Sequence, residues 1–492
     1  MRDSTRKHFR KDYAVPTQMR NLSATTESGA HAVDGSVFWL DPAAGAPNIM
    51  ATPSLAGEVS AEFCIVGGGF LGLWTALKLL EAKPGADVVL LEARTCGYGA
   101  SGRNAGFAMT MWSKSASLAN RATHDDAARI ARASERALTE IEKFCKTEGL
   151  DAGFEMPGWL WTATAPAQVG SWTSTQEAIE ALGGTPFEET SATEARERLG
   201  TDNVFGAVFE QMSAIVDPGK LVLGLRDAAL RRGVRIFENS PVTEIDRGNH
   251  AVSTAGGTVR SRQLILATNA WLAELPELRR VIVPVSADAV ATAPVPGYVD
   301  ANWPGHEAWT NSGTVVDFAR PTLDGRVVFG RGAAAIGFRG RIDKRFFANP
   351  ARTLELTTLL QQQFPRLFPA EVTHSWSGPV DRTQDGLPII GRLPGSDVLF
   401  CAGFSGNGVA PAVVFGEMLA SLALGLDDAW TASSYVGVPN YRFPPEPVRY
   451  VGALMVRDAV RRQMSASDGG RRASYLTRRL AELGPTGLMK VK

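Results

Sequence analysis

Cysteine is scarce in this 492-residue chain, and Cys64, Cys96, Cys145 and Cys401 lie far apart without a CxxC pair. That spacing excludes a disulfide framework and a zinc knuckle, so the four are expected as reduced, small core residues of a cytoplasmic protein. Histidine is also rare, and the six (His8, His31, His124, His250, His306, His374) show no metal-ligand spacing, so no metal is expected. Net charge is absent too: Lys plus Arg and Asp plus Glu each total 51. No overall field therefore draws the chain to nucleic acid or an acidic surface. No window is long and apolar enough for a membrane span. The opening MRDSTRKHFRKDYAVPTQMR has no apolar core, so no secretory signal is expected. Neither a Ser-His-Asp set nor paired carboxylates stand out.

Glycine, by contrast, is abundant and placed. The apolar run EFCIV ends in Gly67-Gly68-Gly69-Phe70-Leu71-Gly72, which opens the helix-forming stretch FLGLWTALKLLEAK. A second buried strand, DVVLLEA, follows and ends at Glu92, twenty residues beyond Gly72, with Ala93 and Arg94 after it. Strand, GxGxxG, helix, strand and a placed acid make a dinucleotide-binding βαβ unit. Gly67 permits the turn, Gly69 admits the pyrophosphate, Gly72 lets helix approach strand, and Glu92 can accept from ribose hydroxyls.

This motif alone leaves FAD and NAD open. The next stretch separates them: Gly97 to Gly106 reads GYGASGRNAG, a second small-residue loop directly after the second strand. FAD needs such a loop because its ring system reaches beyond the sheet edge. Gly99, Ala100, Ala105 and Gly106 let backbone amides close on the cofactor. Ser101 can bond a phosphate oxygen, and Arg103 and Asn104 can reach the rings.

Other segments are placed by pattern. Ala127, Ile130, Ala131, Ser134, Leu138, Ile141 and Cys145 share one helical face between Asp125 and Leu150. GWLWTATA reads as a strand, GKLVLGLRDAALRRG as a helix ending at Gly233, and 351–364 as a helix. The expected fold is α/β plus α+β. A Rossmann-like FAD domain with a parallel sheet takes 58–150, 206–282 and 371–430. An antiparallel-sheet substrate domain takes 151–205 and 283–370. An N-terminal arm (1–57), with Trp39 and Leu40 docking on the body, and a proline-rich connector with a basic tail (431–492) complete the chain.

With these motifs the sequence resembles the FAD-dependent D-amino-acid-oxidase-like superfamily over roughly 58–430. Within it, GYGASGRNAGF, GWLWTAT and HSWSGPVDRTQDGLPIIGRLP are most similar to the branch near gamma-glutamylputrescine oxidase and aminophosphonate oxidoreductases. The resemblance implies that Val242 lies against adenine and that LILATNAW, with Ala267, Thr268, Asn269 and Trp271, is a second FAD-contacting turn. It also implies that Asp385 and the run Gly403, Phe404, Gly406, Asn407, Gly408 and Val409 face the flavin's pyrimidine oxygen at a helix N-terminus, where negative charge is stabilised.

The activity so implied is oxidation of an amine C–N bond by hydride transfer to flavin N5, giving an imine that hydrolyses to a carbonyl compound. The substrate is a small amine, and O2 or another acceptor takes the electrons. Arg103 and Lys114 are candidate cations near N5, or solvated or phosphate-facing cations. Two departures bear on the substrate. Val380 stands where glycine-oxidase-like members carry a carboxylate-binding arginine, and Ala410 where sarcosine-oxidase-like members carry a lysine. Simple D-amino or N-methyl amino acids are therefore the alternative rather than the leading substrates. Arg320, Arg331 and Arg382 are candidate anion holders. Gly378 replaces the cysteine that attaches flavin in monomeric sarcosine oxidase, which implies non-covalent FAD.

Trp159 and Trp161 alternate on one strand, where one could line the cavity or both could be core. His374 is either catalytic or a buried structural histidine. The tail 449–492 carries eight arginines and two lysines against three acids. Val451, Leu454, Met455 and Ala459 suggest an amphipathic helix that docks on the body or on a second copy as a homodimer. A tRNA-modifying FAD oxidoreductase is the reading from another class. Sparse aromatics and zero net charge count against it.

Overall fold

The structure, a computed structural model, describes residues 13–14, 37–47, 51–332, 335–367, 370–468 and 471–484. His8, His31 and most of the arm lie outside the described residues. The principal elements, in chain order, are β1 (Gly57–Val66), α1 (Phe70–Ala82), β2 (Val88–Leu91), α2 (His124–Glu148), β3 (Trp159–Ala163), β4 (Gly206–Glu210) and α3 (Pro218–Arg231). Then come β5 (Arg235–Phe237), β6 (Gly257–Leu266), β7 (Val283–Thr292), β8 (Ala308–Asn311), β9 (Asp317–Pro321) and β10 (Val327–Arg331). The last are α4 (Pro350–Gln363), β11 (Val372–Arg382), β12 (Ile389–Arg392), β13 (Leu399–Ala402), α5 (Pro411–Leu424), α6 (Val448–Asp468) and α7 (Tyr475–Ala481).

Two sheets organise these elements. In the first, β5, β2, β1, β6 and β13 run parallel in that order. Phe63, Cys64, Ile65 and all of β2 are buried, as expected of strands covered on both faces. Helix α1 leans on α5, and a Cβ on Gly416 would sit 3.0 Å from Trp74 Cβ. Helix α2 shows its sequence logic plainly. Thr123 caps it by accepting from the Asp126 N–H, Gly149 ends it at φ 63°, and all seven residues of its expected apolar face are buried.

The second sheet runs β11–β7–β10–β9–β8–β3–β4, with 188–190 at its edge. It is antiparallel except where β8 pairs parallel to β3. Strands β4 and β11, grouped by sequence with the cofactor domain, pair here instead. Neither strand's sequence names its sheet, because the partner is decided by long-range pairing that spacing does not encode. Strand β11 therefore runs out of the second sheet directly into the cofactor loops.

Among the described residues no helix is long and apolar enough to cross a membrane. All four cysteines are buried free thiols. Phe38, Trp39 and Leu40 form a short 3-10 turn packed against β7, β10 and β11, so the end of the arm does dock. Helix α6 forms as well, but its buried face only partly matches the expected one of Val451, Leu454, Met455 and Ala459. Val451 and Met455 point outward at 52% exposure each, while Ala459 and Val460 are buried.

Candidate active site

Between the two sheets lies a cavity of about 2090 Å³. Pockets for one small ligand run to about 1,000 Å³, so this volume suits a dinucleotide together with a second molecule. Its floor is built from the glycine turns at the carboxyl ends of the parallel strands.

At the first turn Gly67 has φ +117°, and a Cβ there would lie 2.5 Å from the Ala267 carbonyl oxygen at the end of β6. Only glycine accommodates both the conformation and the approach. Gly69 caps α1 without a side chain. Ser101 closes this gap, its Oγ accepting from the Phe70 N–H at 2.8 Å. Glu92 Oε2 accepts from the Gly68 N–H at 2.8 Å and Oε1 from the Arg94 N–H at 3.0 Å. Burial raises its pKa, and lone pairs remain for further donors. Leu71, Ala93, Arg94 and Val242 line the cavity near it.

The second loop is held from within. Asn104 Nδ2 donates to the carbonyls of Ala100 (3.2 Å) and Ser101 (2.7 Å), and its Oδ1 accepts from the Gly106 N–H at 2.8 Å. Its amide is thus a staple for Gly99 to Gly106 rather than a group reaching for the rings. Arg103 spans the two sheets. Its Nε donates to the Tyr98 carbonyl (2.8 Å) and its Nη1 to the Ser377 carbonyl (3.2 Å), and the guanidinium lies 4.9 Å from the Tyr98 ring and 5.0 Å from Phe347. Burial lowers its pKa.

The third side comes from β11 and the turn before α5. Asp381 is buried, and its carboxylate accepts from the N–H groups of Gly403 and Ser405. Burial raises it to about 6 despite those bonds. Phe404, Gly406, Asn407, Gly408 and Val409 line the cavity, and α5 begins there with Pro411 and no side-chain cap. Pro411 carries no N–H, and the Ala412 and Val413 N–H groups bond the Gly408 and Ala410 carbonyls, so the positive character of this wall is that of the helix dipole. Asn407 donates to the Thr110 carbonyl at 3.1 Å, but its buried Oδ1 has no protein partner. Beside this turn stand two basic side chains, Lys114 and Arg382, both lining the cavity. Burial and the neighbouring Arg382 charge push Lys114 down to about 7 against the pull of Asp385, and burial pushes Arg382 to about 10.

These features fit FAD. Two turns admit backbone only, the positive end of a helix dipole faces the cavity, an orphaned amide oxygen awaits a donor, and Ala267, Thr268, Asn269, Trp271 and Gly378 complete the lining. The sequence profile of the DAO family, FAD dependent oxidoreductases, matches residues 62–422. The chain belongs to the DAO family. This DAO-family oxidoreductase uses FAD. It is similar to the gamma-glutamylputrescine oxidoreductase of Escherichia coli (strain K12), 29% identical over 407 residues, covering 82% of this chain and 92% of that protein. It is 28% identical over 377 residues to the glycine oxidase of Geobacillus kaustophilus (strain HTA426), covering 73% and 92%. The crystal structure of glycine oxidase from Geobacillus kaustophilus shares the fold at TM-score 0.65 and 22% identity, covering 78% of this chain and 99% of that one.

Several expected site residues lie elsewhere in the DAO-family enzyme. Trp159 and Trp161 are fully buried and stacked at 5.7 Å, with Trp159 Nε1 donating to Thr310 Oγ1. They belong to the core beneath the sheet and do not line the cavity. Arg320 donates to the carbonyls of Ala105 (2.6 Å) and Val216 (2.8 Å), so it props the second loop from behind. Arg331 is held by Asp317 in an ion pair outside the cavity lining. His374 bonds Asp41 Oδ2 at 3.1 Å and packs edge-on against Phe38, which makes it an anchor for the arm. Gly72, Gly106 and Gly403 shape their turns without facing the cavity. Of the sequence candidates for substrate and catalysis, Arg103, Lys114 and Arg382 come together there. Asp288, Phe347, Arg121 and the face of α6 join the lining with no local motif to announce them.

Proposed function

We propose that this oxidoreductase oxidises the C–N bond of a primary or secondary amine that also carries an anionic group, such as an aminophosphonate or a gamma-glutamylated polyamine. The observation that carries the reading is the pairing of Lys114 and Arg382 in the cavity beside the 404–409 turn. Bound FAD, held non-covalently with no cysteine at Gly378, supplies the acceptor for a hydride from the carbon attached to nitrogen. O2 or another acceptor then takes the electrons.

The chain's own residues divide the remaining work. Arg382 stays charged at neutral pH and holds the anionic group. Lys114, at about 7, takes the proton of the substrate ammonium, leaving a lone pair on nitrogen. Phe107, Met109, Val285 and Phe318 form apolar lining that keeps water from the amine. Val380, on the cavity wall, supplies no charge for an α-carboxylate, and Ala410 is wholly buried. The similarity to gamma-glutamylputrescine oxidoreductase supports a longer amine.

The test is anaerobic bleaching of the flavin, with peroxide release in air. The panel is γ-glutamylated diamines, 2-aminoethylphosphonate and its N-methyl form, N-methyl amino acids and D-amino acids. An anionic non-α-amino acid should bleach fastest. Faster bleaching by glycine or D-alanine would overturn the reading.

A further inference from the structure

The family profile ends at residue 422, yet the cavity is not closed by the residues it covers. Helix α6 lies along one side. Gly452, Ala453, Val456, Val460 and Met464 all line the cavity, at the spacing of a single helical face. The loop after α7, including Leu483 and Gly484, joins them.

The placement is fixed at both ends of the helix. Arg449 pairs with Glu446 at 2.6 Å and also donates to the Arg279 carbonyl. Tyr450 meets Phe338 edge-on at 5.2 Å. At the far end Met464 reaches Gly313, where a Cβ would come within 3.0 Å of its Cε, and Val315 packs with Ala459, Val460 and Ala481. The loop 312–316 that receives α6 is itself cavity lining in the second sheet.

The inner face of α6 is small at Gly452, Ala453 and Val456, with the longer Arg449, Arg457, Gln463 and Met464 lining the cavity on either side. A Cβ on Gly452 would meet nothing within 4 Å, so the space before it is open. A helix tied at both ends, with a gap at Gly452, Ala453 and Val456 toward a cavity already large enough for the cofactor, leaves room for a substrate's distal chain.

We propose that α6 is the substrate-length wall of the active site, with Gly452 and Val456 admitting the distal part of an amine longer than an α-amino acid. This rests on the amine-oxidation reading and adds what sets substrate length. The reacting amine meets Lys114, the anionic group of a short substrate meets Arg382, and the chain of a longer one lies along Gly452, Ala453 and Val456 of α6.

The test compares holoenzyme variants Gly452→Trp and Val456→Trp with Met455→Trp, which fills the outward face of the same helix. The probes are a γ-glutamylated diamine and 2-aminoethylphosphonate. FAD content should be unchanged in all three. For Gly452→Trp and Val456→Trp, kcat/KM for the long probe relative to the short one should fall about tenfold or more, the scale on which a hydrophobic pocket discriminates. Met455→Trp should keep the wild-type ratio. An unchanged ratio in both inner variants, or an equal fall in Met455→Trp, overturns the proposal. Binding is read separately from perturbation of the oxidised-flavin absorbance, which needs no turnover. If neither probe is oxidised but the inner variants still weaken binding of the long one, the reaction class fails while the wall stands.

Discussion

Arg226 and Glu238 form a buried, two-pronged ion pair: Nε donates to Oε1 at 3.0 Å and Nη2 to Oε2 at 2.9 Å, with both residues at most 2% exposed. Glu238 also accepts from the Cys96 N–H at 2.7 Å and from Thr52 Oγ1 at 2.7 Å. One carboxylate thus ties α3, β5 and the chain leading into the second glycine loop.

Removing one partner leaves the other charged and buried. Arg226→Met is expected to cost about 3–5 kcal/mol, read by urea unfolding, and Arg226→Met with Glu238→Leu together less than Arg226→Met alone. Burial opposes the Glu238 charge, but Arg226 and the other donors outweigh it and hold the carboxyl below its ordinary range. Its contribution is therefore full above the unfolded glutamate value, about 4.3, and disappears as pH falls through the lower folded value. Arg226→Met should flatten that acid limb. An unaltered acid limb would count against the pair.

Lys114 predicts a pH dependence of the reaction. A base with a pKa of about 7 is protonated below that value and inactive, so kcat/KM should rise through neutrality and level above it. Lys114→Met should lower the plateau by about 100-fold, within the range typical of general bases, and remove the limb near 7. A variant that keeps the limb shows that another group is titrating.

Asp381 organises the turn before α5 through the N–H groups of Gly403 and Ser405. Asp381→Ala leaves those donors unpaired. The dissociation constant of FAD should rise by roughly tenfold, matching one or two lost bonds of about 1 kcal/mol each, with Asp381→Asn between it and wild type. Flavin fluorescence on titration measures this, and equal affinities in all three proteins would refute the role.

Gly67 and Gly85 make a matched pair, with φ of +117° and +81°. Alanine strains both backbones by about 1–2 kcal/mol, yet only at Gly67 would the Cβ strike a carbonyl, that of Ala267; at Gly85 nothing lies within 4 Å. Gly67→Ala should purify colourless and Gly85→Ala yellow. Equal flavin content in the two would remove the steric argument.

The sequence carried the cofactor half of the site because its information is local. GxGxxG, Glu92 and the Gly97–Gly106 loop act through spacings of a few residues, and the conformations of those residues follow from their own chemistry. The substrate half depends on partners far away in the chain. His374 is claimed by Asp41 and Arg103 by Ser377, while Arg320 is spent on Val216. Trp159 and Trp161 do share a strand face, as their alternation says, but alternation does not tell whether that face meets a cavity or another layer. Phe347 and the inner face of α6 carried no motif, since an aromatic ring or a glycine becomes lining only through what stands opposite.

The parallel ladder of β1 with β6, from Gly57 against Gly257 to Val66 against Leu266, brings Gly67 and Ala267 side by side. The flavin cradle is then finished only by the 403–409 turn. A nascent chain leaving the ribosome therefore carries the nucleotide motif long before it can retain the vitamin-derived cofactor. Any product that stops short of that turn should be made without colour, whatever the integrity of its first βαβ unit.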